Sequence, residues 1–187
     1  MIHVYENYII GGVPQLFYIV SGSILMVGLF FFVAFKGLWK GLIYSSIVAL
    51  IEYVTLLYAS TVFCRKVYYE RKFDFHPFWT YKAILDGKDE FVTEAIMNVI
   101  AFIPIGFLLG CSFVSLKWWK VIIIACLFSL GIEILQFIMM RGFSELDDVM
   151  HNTLGSMIGY GVYRLVAWLI WKIRAIERFE QSCRNNK

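Results

Sequence analysis

The sequence predicts an all-α, polytopic membrane protein with about five transmembrane helices and a partly interfacial external loop. Two observations carry this prediction. Of the 187 residues, 60% are hydrophobic and only 17% are charged, and the mean hydropathy is +0.70. A soluble domain of that composition has too few polar residues to cover its apolar side chains. In addition, apolar runs of about 20 residues recur along the chain, which is the length that a helix needs to cross a bilayer.

Each of these runs is predicted to be a helix, because backbone polar groups in lipid must find partners within their own segment. The predicted transmembrane helices cover approximately 16–35, 41–64, 94–116, 119–140 and 152–171. Aromatic and charged residues alternate in the segment 73–90, which is typical of a chain lying at the headgroup level. The segment 172–187 is a charged tail. We interpret the chain, 1–187, as a single membrane domain.

The positive residues between the runs predict the orientation, since cytoplasmic connections carry an excess of Lys and Arg. Nine positive residues fall on the side of the C-terminus and seven on the other side. We therefore expect the N-terminus outside and the C-terminus in the cytoplasm. Under either orientation, the connections 65–93 and 141–151 lie on the same face of the membrane, so that the polar residues of the chain converge there.

Composition also argues against several functional classes. The net charge is only +3 and the positive residues form no stripe, so we expect no nucleic-acid partner. The four cysteines are scattered without the spacing of a metal site, and we expect neither a metal nor another cofactor. They are Cys64, Cys111, Cys126 and Cys183.

Two pairs of glycines at GxxxG spacing predict close helix packing. Gly106 and Gly110 lie on one face of the third predicted helix, together with Asn98. Gly155 and Gly159 form the second pair, on the fifth predicted helix. Small residues at this spacing let two helix backbones approach each other.

Ionisable and amide side chains near the same membrane surface are the candidate site. Glu133 and Gln136 share a helix face, and Arg141 follows at the helix end. An ionisable residue within a spanning segment indicates function by default. Glu133 is expected to be neutral or paired with Arg141. The alternative is a structural ion pair that braces two helices.

The stretch "SELDDVMHNTLG" continues this polar surface. Ser144 and Asp147 have the spacing of a capping box, which predicts that the fifth helix begins near Glu145. Asp148, His151 and Asn152 would then extend the Gly155–Gly159 face. Helix capping is the simpler role for one of the two aspartates. An interfacial position without chemistry is the simpler reading of His151.

Two further ionisable residues lie deeper in the predicted helices. Glu52 is near the middle of the second helix and Arg164 near the middle of the fifth. Their similar depth predicts a structural ion pair between them.

The ordered motifs "FHPFWTYKAI", "NVIAFIPIGFLLG", "EILQ" and "RGFSELDDVMHNTLGSMIGY" resemble the VanZ-like family of small bacterial membrane proteins over about 73–163. The resemblance implies the bacterial cell membrane and an association with resistance to the lipoglycopeptide antibiotic teicoplanin. The positions that match the family's polar pattern are Asn98, Glu133, Gln136, Arg141, Asp147, Asp148 and Asn152, and its structural signature falls on Pro77, Phe78, Pro104, Gly106, Gly155 and Gly159.

Three functions are compatible with these features. The first is non-catalytic binding, at the outer membrane surface, of a membrane lipid, a lipid-linked cell-wall precursor or the lipoglycopeptide itself. In this hypothesis Arg141 and the amides face the ligand, and the acids position Arg141 or receive a cationic sugar. The second is a membrane-embedded enzyme, and the third a flippase, acting on a polyprenyl phosphate or similar lipid. A flippase of 187 residues would need a homo-oligomer.

Overall fold

The computed structural model describes residues 38–65 and 67–185. The first predicted helix, 16–35, lies outside the described residues. The secondary-structure elements, in chain order, are α1 (Leu38–Tyr58), a π-helical turn (Ala59–Phe63), β1 (Phe73–Asp74), α2 (Trp79–Leu85), α3 (Glu90–Ser112), α4 (Trp118–Met139), β2 (Ser144–Glu145) and α5 (Leu146–Asn185).

Four of these helical segments are long and apolar enough to cross a membrane, which confirms the all-α, polytopic prediction for the described part of the chain. They are Lys40–Phe63, Glu90–Ser112, Trp118–Met139 and Leu146–Asn185. The first and third agree with the predicted runs within one residue at each end. The other two begin four and six residues earlier than their predicted apolar runs, because acidic residues in their first turns lower the hydropathy there.

Helices α3 and α5 form the most extensive contact in the bundle. The glycine pairs lie at this contact: a Cβ added to Gly155 would overlap the carbonyl of Val99, and one added to Gly159 would overlap the carbonyl of Ile103. On the facing helix, a Cβ at Gly106 would overlap the backbone of Ser156. The absence of side chains at these positions therefore lets the two backbones touch.

The connections 65–93 and 141–151, which were predicted to lie on the same face of the membrane, are in contact. Strand β1 pairs with β2 in parallel, with Phe73 opposite Ser144, and an isolated antiparallel bridge joins Val67 to Arg141. We call this end of the bundle the loop end. The opposite end contains the turn between α3 and α4, residues 113–117, where Leu116 accepts a hydrogen bond from the Tyr160 hydroxyl.

The predicted ion pair between Glu52 and Arg164 is not formed among the described residues. Helix α1 packs against α3, and α3 packs against α5, so α3 separates the two residues. Their depths also differ. Tyr53, next to Glu52, donates to the Ala101 carbonyl within α3, whereas Arg164 is exposed and lies one turn beyond Tyr160, at the opposite end. The early start of α5 causes this offset, since it shifts Arg164 along the helix relative to the predicted midpoint.

Candidate functional site

Asp147 is the residue that anchors the loop end. Its side chain is completely buried, and its two carboxylate oxygens accept hydrogen bonds from the backbone N–H groups of Phe78 (2.7 Å) and Thr80 (2.9 Å). These groups belong to the first turn of α2, whose N-cap residue, Phe78, provides no side-chain cap. A carboxylate at a helix N-terminus is favourable by hydrogen bonding and by the helix dipole. Asp147 therefore caps α2 from another helix.

A cluster of acidic side chains lies beside this anchor and is shared by three helices and β2. It consists of Glu94, Glu133, Glu145 and Asp148. Within it, the Glu133 carboxylate accepts the backbone N–H of Glu145 at 2.8 Å. The Asp148 carboxylate accepts the side-chain amide of Asn98 at 2.6 Å. The side chains of Glu133, Glu145 and Asp148 are buried, whereas Glu94 is exposed. We call these four residues the acidic cluster.

Burial raises the pKa of the Glu145 carboxyl to about 8, with further upward contributions from the negative charges of Asp148, Glu94 and Glu133. Glu145 therefore holds a proton at neutral pH. Desolvation disfavours the charged form of a carboxyl, and like charges nearby disfavour it further. The proximity of four acidic side chains therefore favours a protonated carboxyl group within the cluster.

The raised pKa of Glu145 gives an expected dependence of stability on pH. In the unfolded chain Glu145 loses its proton near pH 4.5, whereas in the folded protein it keeps the proton up to about pH 8. The folded state binds more protons in this window, so the melting temperature of the purified protein should fall as the pH rises through it. Glu145→Gln should flatten this dependence. Glu70→Gln, which changes an exposed glutamate of the same connection, should leave it unchanged, and equal curves for all three proteins would contradict the assignment.

His151 lies between the acidic cluster and the surface. The ring is buried, its Nε2 is 3.1 Å from the hydroxyl of the partly exposed Tyr81, and its Nδ1 is 4.0 Å from the Asp148 carboxylate. Nδ1 has no hydrogen-bond partner among the described residues. A group placed at ordinary hydrogen-bond distance, about 2.9 Å, from both Nδ1 and Asp148 would bridge them. Sequence reasoning left His151 out of the site, although its spacing of three from Asp148 was a signal for a shared face.

The two predicted amides, Gln136 and Asn152, are buried, and in each the NH2 group forms a hydrogen bond whereas the carbonyl oxygen forms none with a described residue. Gln136 donates to the Thr61 carbonyl at 3.0 Å, and Asn152 donates to the Ser129 hydroxyl at 2.8 Å. The carbonyl oxygens of both amides are buried without a partner in the described part of the chain. Ser129 was not predicted, and the apolar run around it gave no signal that its hydroxyl would face α5.

The predicted role of Arg141 requires a correction. Its guanidinium was expected to be held by Glu133 or Asp148 and to face a ligand. Instead it donates to the backbone carbonyls of Phe63 and Arg65, at the end of the π-helical turn. Free carbonyls at a helix C-terminus attract cationic donors. Arg141 therefore caps the C-terminal end of the π-helical turn that follows α1.

The predicted capping box at the start of α5 is not formed either. The Ser144 hydroxyl donates to the Glu133 carbonyl at 3.0 Å, and Asp147 is committed to α2. The pairing of β1 with β2 holds Ser144 in an extended segment and turns its side chain toward α4. Tertiary contacts thus override the local capping pattern.

Among the described residues, Arg65 is a cation whose charge acts on the acidic cluster, although from the sequence alone it counted only as a loop charge. Its guanidinium lies against Gly142, where an added Cβ would come within 2.8 Å of Nη1. Its charge acts on both Glu133 and Glu94. Even with Glu145 protonated, the other acidic residues of the cluster outnumber this arginine, which favours a cationic group or a hydrogen-bond donor as the ligand.

Aromatic side chains lie at the same end of the bundle. Trp79 packs edge-on against Phe91 and Phe143, with ring centroids 4.9 and 5.7 Å away. Phe78 and Tyr81 are 58% and 45% exposed, respectively. Half-exposed aromatic residues are typical of chains at the headgroup level of a bilayer. Among the described residues, no group of three or more His, Cys, Asp or Glu side chains has a geometry suited to a metal ion.

The region of the chain that contains this site matches a known protein family. The model of the family described as VanZ/LLP1 matches residues 19–168. Protein VanZ from Enterococcus faecium is 39% identical over 72 residues, which are 38% of this chain and 45% of that protein. The matched region thus spans less than half the length of this relative. No solved structure matches the chain.

Proposed function

This chain belongs to the VanZ/LLP1 family, and on that premise we propose that it binds a lipid-anchored amphiphile at the outer membrane surface without catalysing a reaction. The ligand would be a lipid-linked cell-wall precursor or a lipoglycopeptide. The cellular effect would be resistance to antibiotics of the teicoplanin type. In this proposal the loop end faces the outside of the cell.

One observation carries the proposal: buried polar atoms that have no partner among the described residues accompany an acidic cluster in this membrane bundle. Three of these atoms are Nδ1 of His151 and the carbonyl oxygens of Gln136 and Asn152. Buried polar groups without partners are costly, so a protein retains them where a ligand or water completes their hydrogen bonds. The exposed aromatic residues of α2 support a ligand that reaches the site along the membrane surface.

The acidic character of the site specifies how such a ligand is held. A protonated amine on the headgroup or peptide would bind to Asp148 and to the neighbouring carboxylates. Its N–H groups would also satisfy His151 Nδ1. This differs from recognition of a phosphate by Arg141, since Nη1 of that guanidinium donates to the carbonyls of Phe63 and Arg65. Charge-assisted hydrogen bonds to a buried carboxylate are about twice as strong as neutral ones.

A resistance assay tests the proposal. Expression of the protein in a teicoplanin-sensitive host should raise the inhibitory concentration of teicoplanin, while an antibiotic that acts inside the cell serves as the control. In the same cells, a cysteine at Lys88 in a cysteine-free background should react with a membrane-impermeant reagent, and one at Lys117 should not. An unchanged inhibitory concentration with the correct orientation would contradict the function. Labelling at Lys117 alone would contradict the orientation.

A second candidate function is a membrane-embedded enzyme or flippase acting on a polyprenyl phosphate or similar lipid. The contact between Tyr81 and His151 favours the enzyme, because a buried imidazole between a surface hydroxyl and a carboxylate can transfer protons. Incubating the purified protein with a polyprenyl phosphate and analysing the lipids by mass spectrometry distinguishes it from a binder. A new product that disappears in His151→Gln would establish an enzyme, whereas an unchanged lipid that copurifies with the protein would support binding.

A further inference from the structure

A cavity of about 620 Å³ lies at the end of the bundle opposite the acidic cluster. It is formed by the turn between α3 and α4, the first turn of α4, and the segment of α5 that passes them. The side chains that define it are Lys117, Trp118, Trp119, Tyr160 and Arg164. Cavities of about 300–1,000 Å³ are typical of sites for small ligands and headgroups.

The cavity is basic. Lys117 and Arg164 come from different helices, and both side chains are exposed. Neither forms an ion pair with any residue that the structure describes, and no Asp or Glu is among the described residues that line the cavity. Two cations that line one cavity, with no counter-charge among the described residues, favour an anion there.

The N-terminus of α4 adds to the preference of the cavity for an anion. Lys117 is the N-cap of α4, its side chain makes no capping hydrogen bond, and the first turn of the helix contains no acidic residue. The positive end of a helix of 22 residues therefore adds to the charge of the two side chains.

The surroundings indicate a ligand that belongs to the membrane. Trp118 and Trp119 are 64% and 43% exposed, and Lys120 lies 5.4 Å from the centroid of the Trp119 ring. Tryptophans beside lysines at the end of a spanning helix mark the level of the lipid headgroups. The apolar side chains of Val114 and Leu116 complete the wall of the cavity.

We propose that this cavity binds the phosphate of an anionic phospholipid between Lys117 and Arg164. The guanidinium donates a pair of parallel hydrogen bonds to two phosphate oxygens, and the ammonium supplies a point charge to a third. The acyl chains extend along the exposed apolar faces of α4 and α5. The same contacts explain why Arg164, which finds no acidic partner within the described protein, is retained in a spanning helix. This inference does not depend on the ligand of the acidic cluster.

Lipid retention measured by native mass spectrometry tests the inference. The full chain, purified from vesicles containing equal amounts of phosphatidylglycerol and phosphatidylcholine, should keep phosphatidylglycerol in clear preference. The double variant Lys117→Gln/Arg164→Gln should lose this preference by roughly tenfold, because the phosphate loses both charged partners. Each single variant should lose part of it. Lys172→Gln, which removes an exposed lysine further along α5, should retain the wild-type preference.

Each other outcome overturns the inference in a defined way. Equal retention of the two lipids by the wild-type protein, or an unchanged preference in the double variant, would show that the cavity does not select an anionic headgroup. Displacement of phosphatidylglycerol by millimolar inorganic phosphate would assign the site to the free ion. The melting temperatures of the variants should equal that of the wild type, since neither side chain has an ion-pair partner among the described residues, and a large loss of stability would give these residues a structural role instead.

Discussion

Gly159→Ala is expected to leave little folded protein, whereas the same substitution at Gly161 is expected to be harmless. A Cβ at Gly159 would overlap the carbonyl group of Ile103 and would lie 2.9 Å from the backbone nitrogen of Phe107. Both obstacles are backbone atoms of α3, so no side-chain rotation can relieve them. Overpacking of this kind costs about 1–3 kcal/mol, and more where only a shift of whole helices provides relief.

Gly161 provides the matched control, since it lies two residues further along the same helix and nothing is within 4 Å of an added Cβ. Alanine has a higher helix propensity than glycine by about 1 kcal/mol, so Gly161→Ala should be neutral or slightly stabilising. The measurement is the monodisperse yield and melting temperature of each variant in one detergent. Equal values for Gly159→Ala and Gly161→Ala would show that the contact between α3 and α5 is looser than the structure indicates.

Asp148→Asn is expected to abolish the proposed function without unfolding the protein. Asparagine has the shape of aspartate and can still form a hydrogen bond with Asn98. It removes a negative charge that acts on Glu145 and Glu133, so the repulsion within the acidic cluster decreases. A cationic ligand would lose its principal carboxylate, which corresponds to about 2–5 kcal/mol for a buried charge pair.

The inhibitory concentration of teicoplanin for cells expressing the variant should therefore return to that of cells without the protein. The melting temperature should equal or exceed that of the wild type. Asp89→Asn is the control, because Asp89 is an exposed aspartate of the same membrane face whose side chain forms no capping hydrogen bond. Full resistance in Asp148→Asn would exclude a ligand that is held by this carboxylate. Loss of resistance together with loss of folded protein would assign Asp148 a structural role.

The roles of two charged residues follow directly from their partners. Asp147 was grouped with the ligand-binding residues, but both of its oxygens are used by α2. Arg141 was expected to contact a ligand, but it binds the carbonyl groups that end α1. Asp148, His151 and the carbonyl oxygens of Gln136 and Asn152, which have no partner among the described residues, remain available to a ligand.

The all-α membrane class, the four described spans and the end of the bundle at which the polar residues meet follow from the amino-acid sequence alone. Each of these properties depends on a single segment of the sequence or on a sum over such segments. Hydropathy sums over a segment to decide whether it crosses the membrane, and the number of crossings decides which connections share a side. The GxxxG spacing likewise defines a helix face without reference to any partner.

The pairing of the polar groups, in contrast, depends on how the helices pack against one another. A carboxylate such as Asp147 can cap its own helix or another one, and both arrangements satisfy the same local pattern. The outcome depends on how far one helix is displaced along its neighbour, because a shift of one turn moves a side chain by about 5.4 Å, beyond the reach of a hydrogen bond. The early start of α5 produces such a displacement, and the packing of α3 between α1 and α5 adds to it. For this reason Arg164 is separated from Glu52 and lines the same cavity as Lys117 instead.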